Sequence, residues 1–182
     1  MNIALILIDI QNDYFPGGKM ELEGSPGAGL SAGKALSHFR KAGLHLVHIQ
    51  HLSAHPGATF FVPGTKGVEI HESVKPTHDE LVIQKHYPNA FRDTPLLGHL
   101  KDNGIESLIV GGMMTHMCVD ASVRAAFDHG FRCAVLSDAC ATRGLSYGQL
   151  NIPAQFVHAA FLAALSPIYA KVLTVDEFLS QA

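Results

Sequence analysis

Three side chains capable of proton transfer or covalent chemistry stand where apolar runs end: Asp9 after "NIALILI", Lys85 after "ELVIQ", and Cys118 after "IESLIVGGMMTHM". A carboxylate closing an apolar strand is costly to bury without a partner, so Asp9 requires a cation or several donors nearby, and Lys85 can supply the charge. A plain ion pair, or an Asp capping the next turn, accounts for Asp9 equally well. Asp13, four residues on, reads as a turn-stabilising carboxylate. Cys118 follows a glycine-bearing turn and opens a helical segment. There, free backbone N–H groups and the helix dipole favour a thiolate and offer donors to an oxyanion. A small buried residue packing its helix is the competing reading, and Cys133 and Cys140 are assigned to it.

The elements that must position these groups alternate. "NIALILIDI" (Asn2 to Ile10), "LHLVHIQ" (Leu44 to Gln50), "ELVIQK" (Glu80 to Lys85), "IESLIVGG" (Ile105 to Gly112), "RCAVLSDA" (Arg132 to Ala139) and "AKVLTV" (Ala170 to Val175) read as strands. Helical spacing runs from Leu30 to Ala42, Thr94 to Asn103, Cys118 to His129 and Gln149 to Leu165, and a short helix closes the chain. Between Ser53 and Thr77 periodicity gives way to Pro and Gly, which predicts a long loop bordering the site. Strand–helix alternation implies right-handed crossovers and a parallel sheet covered on both faces. In such folds ligands sit beyond the carboxyl ends of the strands, where Asp9, Lys85 and the Gly111 to Cys118 loop all fall.

Bulk composition narrows the function classes. The 182 residues fit one domain spanning 1–182, with 47% hydrophobic and 16% charged residues. A net charge of −3 with scattered Lys and Arg provides no basic stripe for nucleic acid. The apolar runs are too short to span a membrane, and no basic segment precedes the first of them, so a cytoplasmic protein is expected. Three cysteines suit reduced thiols better than a disulfide framework. No G-x-G-x-x-G or Walker pattern follows a strand, which leaves a nucleotide-binding module without its physical parts.

The blocks "LILIDIQNDYF", "IQKHYPNAF" and "IVGGMMTHMCVDASVRAAFDHGF" resemble those of the isochorismatase-like cysteine hydrolases, the superfamily of nicotinamidases and related amidohydrolases. Order and spacing agree along nearly the whole chain. The resemblance implies a three-layer α/β/α sandwich whose six-stranded parallel sheet has the order 3-2-1-4-5-6, with an Asp9, Lys85, Cys118 triad. That order leaves Lys85 two strands from Asp9. The resemblance also implies a cis peptide between Met113 and Met114, which turns the Met114 N–H toward a substrate carbonyl beside that of Cys118. The implied reaction is cleavage of a carbon–nitrogen bond in a small molecule through a thioester, with no cofactor, in a homo-oligomer such as a dimer or tetramer. Vinyl ether hydrolysis, as in isochorismatases, and a catalytically silent homologue are the alternatives.

One departure stands out. Nicotinamidases carry an Asp-x-His metal site after the second strand, but here His51 stands for the Asp and Ser53 for the His. His48, His51 and His55 have irregular spacing, so hydrogen-bonded or solvated histidines are expected and no metal. Phe15, Phe61, Phe91 and His116 flank the blocks as candidate pocket walls, with Tyr147 as a further one, and core packing is the competing reading for each.

Overall fold

The computed structural model describes residues 2–181. Its elements are β1 (Ile3–Ile8), α1 (Ser25–Ala42), β2 (His45–His51), β3 (Leu81–Lys85), α2 (Leu96–Asp102), β4 (Ser107–Met113), α3 (Asp120–Asp128), β5 (Arg132–Ala141), β6 (Leu145–Tyr147), β7 (Leu150–Ile152), α4 (Ala154–Leu165), β8 (Lys171–Leu173) and α5 (Val175–Leu179). The main sheet has the order β3-β2-β1-β4-β5-β8, with every neighbour parallel. With the hairpin β6–β7 counted apart, this is the 3-2-1-4-5-6 order that the resemblance implies.

Period-two alternation builds the three layers. Ala4, Ile6 and Ile8 of β1 face a core completed by Leu96 and Leu100 of α2, Val123 of α3 and Leu162 of α4. Leu5 and Leu7 face the opposite core, against Ala32, Leu36 and Phe39 of α1 and Phe178 of α5. Because both faces of β1 are covered, its sequence is apolar at every position rather than alternating. Burying each large aliphatic or aromatic side chain contributes about 1.5–3 kcal/mol before the entropy cost.

Close approach at the centre of the sheet decides where the reactive groups meet. Gly112 pairs with Ile8 at φ 149°, and a Cβ there would collide with the Ile8 carbonyl. Only glycine lets β4 press against β1 at the point where Asp9 leaves the strand.

Three segments depart from the sequence reading. Helix α1 begins at Ser25 rather than Leu30, with Pro26 in its first turn, where a missing N–H costs nothing. Residues from Gln149 do not start a helix: Leu145–Tyr147 and Leu150–Ile152 form an antiparallel hairpin, turned at Gly148 with φ 57°. Pro153 explains the correction, because the residue before a proline is driven out of the helical region, and α4 starts only at Ala154. Cys118 does not open a regular helix either, since Thr115–Val119 form a π-helical turn ahead of α3. The segment 53–77 is the long irregular loop expected, with short 3₁₀ turns at Lys66–Val68 and Glu72–Val74.

Candidate active site

Asp9, the first residue beyond β1, adopts φ 53°, a left-handed conformation that Asp tolerates better than most residues. Its N–H still bonds Ile49 O at 3.0 Å, so the strand ends and turns in a single residue. Lys85 ends β3, and its fully buried side chain crosses over β2 to bridge the two-strand gap. Its Nζ lies 2.7 Å from Asp9 Oδ2, 2.9 Å from His51 Nδ1, 3.1 Å from Tyr87 O and 3.3 Å from Cys118 Sγ. Cys118 is held by the π turn, whose Met114 carbonyl accepts from the N–H groups of Met117 (3.0 Å) and Val119 (3.3 Å). The peptide between Met113 and Met114 is cis.

Burial governs the protonation states. It pushes the Cys118 thiol far above its ordinary range, and the Asp9 charge adds to the effect, while Lys85 only partly offsets it. The thiolate expected from a helix N-terminus is therefore corrected to a resting thiol. Desolvation in a site this dry outweighs the dipole of one turn. Burial also raises the Asp9 carboxyl, with Lys85 opposing. For Lys85 burial acts downward, yet the Asp9 charge foremost leaves it raised overall, so the ammonium is retained. His51 is pushed down to about 4 by burial, then by the Lys85 charge, and is neutral near pH 7.

The nicotinamidase-type metal site does not fit these residues. His48 is taken by Glu80 at 3.0 Å, His55 is exposed, and Ser53 Oγ donates to Phe60 O. Asp9, His51 and Cys118 do bring donor atoms within 4.8 Å of one another. The Lys85 ammonium already sits within 3.3 Å of all three, so the cation of this cluster is a side chain.

Residues 3–177 match the family model described as "Isochorismatase domain". The chain belongs to the isochorismatase family. A relative described as the uncharacterized isochorismatase family protein YddQ of Bacillus subtilis is 52% identical over 98% of this chain and 99% of its own. A solved structure from Oleispira antarctica superposes with TM-score 0.94 at 47% identity, covering 98% of this chain and 96% of that one. Maleamate amidohydrolase of Pseudomonas putida is 29% identical over 82% of this chain and 76% of its own length. The isochorismatase family is hydrolytic, and amidohydrolases are among these relatives.

Within this isochorismatase fold, the candidate pocket walls divide. Phe61 is buried with its ring centroid 5.8 Å from His51 and 4.6 Å from Tyr14, on the side of the Asp9, Lys85, Cys118 cluster. Its N–H donates to Asp13 Oδ2 at 2.6 Å, so Asp13 does stabilise a turn and also anchors the long loop. His116 stays at the same edge, hydrogen-bonded to Thr142 Oγ1 and edge-on to Phe161. Phe15 stacks on His71 at 3.5 Å and lines a cleft containing none of the three reactive residues. Phe91 packs on Phe131 and His129, toward the opposite edge of the sheet. The chain after Lys85 doubles back there, tied by the Ala90 N–H to Ser122 Oγ at 3.0 Å. Tyr147 is 81% exposed on the hairpin, away from any wall. Cys133 and Cys140 are free thiols in packed positions.

Two neighbours of the Asp9, Lys85, Cys118 cluster are not assigned to it by the sequence. His51 is the hydrogen-bonded histidine the sequence leads one to expect, but its partner, Lys85, with which it pairs in register, is not legible there. Tyr14, inside the first block, is buried against Phe61, and burial pushes its hydroxyl pKa upward, with the nearby Asp9 charge adding to it.

Proposed function

We propose that the protein is a cysteine hydrolase that cleaves an amide- or imide-type carbon–nitrogen bond of a small molecule. The observation that carries this reading is the convergence of Asp9 and Cys118 on Lys85 Nζ, at 2.7 and 3.3 Å, in a buried site where the thiol rests protonated. Asp9 takes the Cys118 proton as Sγ bonds to the carbonyl carbon. Lys85 holds the pair of charges in place. The Met114 and Cys118 N–H groups receive the oxyanion. Asp9 then returns its proton to the departing nitrogen, the carbon–nitrogen bond breaks, and a thioester remains. Water attacks it, losing a proton to Asp9, and the carboxylic acid leaves as the thiol re-forms. No metal or cofactor enters these steps.

The maleamate amidohydrolase relative supports carbon–nitrogen cleavage, and retention of Cys118 favours it over vinyl ether hydrolysis, which needs no cysteine nucleophile. Three free thiols fit a reducing, cytoplasmic setting. No helix is long and apolar enough to cross a membrane among the described residues. Exposed Tyr147, Leu150 and Phe156 fit a contact between copies of the chain.

The test is ammonia release from a panel of small amides, ureides and imides, with Cys118→Ala alongside, and alkylation of Cys118 by a haloacetamide. Turnover by the wild type alone supports the reading. Equal turnover by the variant, or a Cys118 inert to the haloacetamide near neutral pH, overturns it.

A further inference from the structure

Lys85 is surrounded by one acceptor more than it has hydrogens. An ammonium carries three N–H groups and no lone pair, yet four acceptors lie within reach: Asp9 Oδ2 at 2.7 Å, His51 Nδ1 at 2.9 Å, Tyr87 O at 3.1 Å and Cys118 Sγ at 3.3 Å. The aligned hydrogen bonds run to His51, Tyr87 and Cys118. Asp9 is nearest, but Nζ meets its Oδ2 at a poor hydrogen-bonding angle. The pair is held by charge and short distance, and the hydrogen bonds that Lys85 and Cys118 offer the carboxylate lower its pKa less than burial raises it.

His51 is fixed in this arrangement from both ends. Its N–H donates to Gln11 Oε1 at 2.8 Å and its carbonyl accepts from Gln11 Nε2 at 2.9 Å. Gln11 Nε2 donates in turn to Val68 O at 2.7 Å, which ties the end of β2 to the long loop. Because an ammonium can only donate, the Nδ1 of His51 must present a lone pair, so the ring is neutral with its proton on Nε2.

We infer that His51 is a positioning residue: it competes with Asp9 for the hydrogens of the Lys85 ammonium, leaving that carboxylate compensated in charge but only weakly hydrogen-bonded, and therefore a stronger base toward the Cys118 thiol. The inference rests on the triad of the proposed function. Its physical basis is that aligned N–H donors stabilise the charged form of a carboxylate and weaken it as a base. Asp9 lies on the other side of that rule, raised by burial with Lys85 opposing. The ionisable groups around it are Lys85 from β3, His51 from β2, Cys118 from the π turn and Tyr14 from the turn after β1; His86 acts on His51. Without an acceptor at position 51, three hydrogens would meet three acceptors, and the ammonium would align one fully on Asp9.

Carbon-13 NMR of the aspartate carboxyl groups in the full chain, with the Asp9 signal identified by its loss in Asp9→Asn, measures this directly. Wild type, His51→Gln (acceptor kept), His51→Leu and His51→Ala (acceptor removed) are titrated side by side. The midpoint of Asp9 is expected to fall by about one pH unit, a tenfold change, in the Leu and Ala variants, and to stay at the wild-type value in the Gln variant. An unchanged or raised midpoint in a folded variant lacking the acceptor, or a shift with Gln as large as with Leu, overturns the inference. Nitrogen-15 NMR of the wild-type imidazole provides a check independent of any variant: a proton on Nδ1 of His51 at neutral pH also overturns it. Neither measurement uses a substrate. An inert Cys118 would therefore sink the hydrolase reading without touching the His51 result, and an unmoved Asp9 would sink the inference while Cys118 remained reactive.

Discussion

Two clusters in this molecule are built from the same three kinds of group, a carboxylate, a cation and a histidine of β2, and behave oppositely. Glu80 receives Arg40 Nε at 2.6 Å, Arg40 Nη2 at 2.7 Å and the Thr77 N–H at 2.9 Å, with His48 Nε2 at 3.0 Å. Those bonds, Arg40's foremost, pull its carboxyl down to about 2. Asp9 meets Lys85 and His51 in a more deeply buried place, where desolvation outweighs the Lys85 charge and its poorly aligned hydrogen bond, and moves up. The guanidinium presents a planar fork that matches both carboxylate oxygens, whereas an ammonium is a compact charge whose hydrogens go to whichever acceptors surround it. Alignment and burial, rather than the inventory of residues, separate a carboxylate locked in its charged form from one whose pKa is raised.

The comparison can be broken or sharpened by measurement. The largest effect is expected from Cys118→Ala, which should reduce turnover of any amide the protein hydrolyses by about 10⁴-fold or more, read as ammonia release. Next, Lys85→Met leaves a buried carboxylate uncompensated and should cost about 3–5 kcal/mol in urea unfolding near pH 7. Arg40→Met, at the more exposed lock, should cost about 1–2 kcal/mol, since water can replace the lost donors. Equal costs would erase the distinction between the two clusters.

The third prediction concerns the sign of the pH dependence. Glu80, at about 2 when folded against an ordinary 4.5, adds stability that is complete above pH 4.5 and lost as pH falls toward 2. His51, at about 4 against an ordinary 6.5, acts in the same sense: the unfolded chain binds its proton first, so stability falls as pH drops from 6.5 to 4. Asp9, raised on folding, acts in reverse, because its proton favours the folded state at low pH and that contribution fades as pH rises through its folded pKa. Unfolding free energies measured across pH should show Glu80→Gln flattening the acid slope by about 1 kcal/mol after solvent screening, and Asp9→Asn steepening it. A flatter curve for Asp9→Asn would contradict the raised carboxyl. The smallest effect is expected for Arg132→Ala, which removes an exposed pair with Glu106 at 2.9 Å and should change stability by no more than about 0.5 kcal/mol.

Much of this architecture was legible because it repeats locally. Apolar runs ending in Asp9 and Lys85, glycines after helices, and strand–helix alternation each follow from forces acting within a few residues. They were sufficient for the parallel sheet and for the edge where the site lies. Legibility failed where a local pattern met a local veto or a distant partner. The apolar spacing after Gln149 reads as helix until Pro153 is weighed against it, and the segment folds as a hairpin. Phe91 sits six residues past Lys85, yet the return of the chain carries it to Phe131.

By itself, the sequence determined that Asp9, Lys85 and Cys118 stand at strand ends on one edge of a doubly covered sheet, because side-chain period and turn chemistry are written residue by residue. Only the tertiary structure decided how they meet. The reach of Lys85 across β2, the surplus acceptor on His51 and the protonated state of Cys118 all depend on distances between strands far apart in the chain and on the exclusion of water among them. Those quantities are set by packing, and no stretch of sequence contains them.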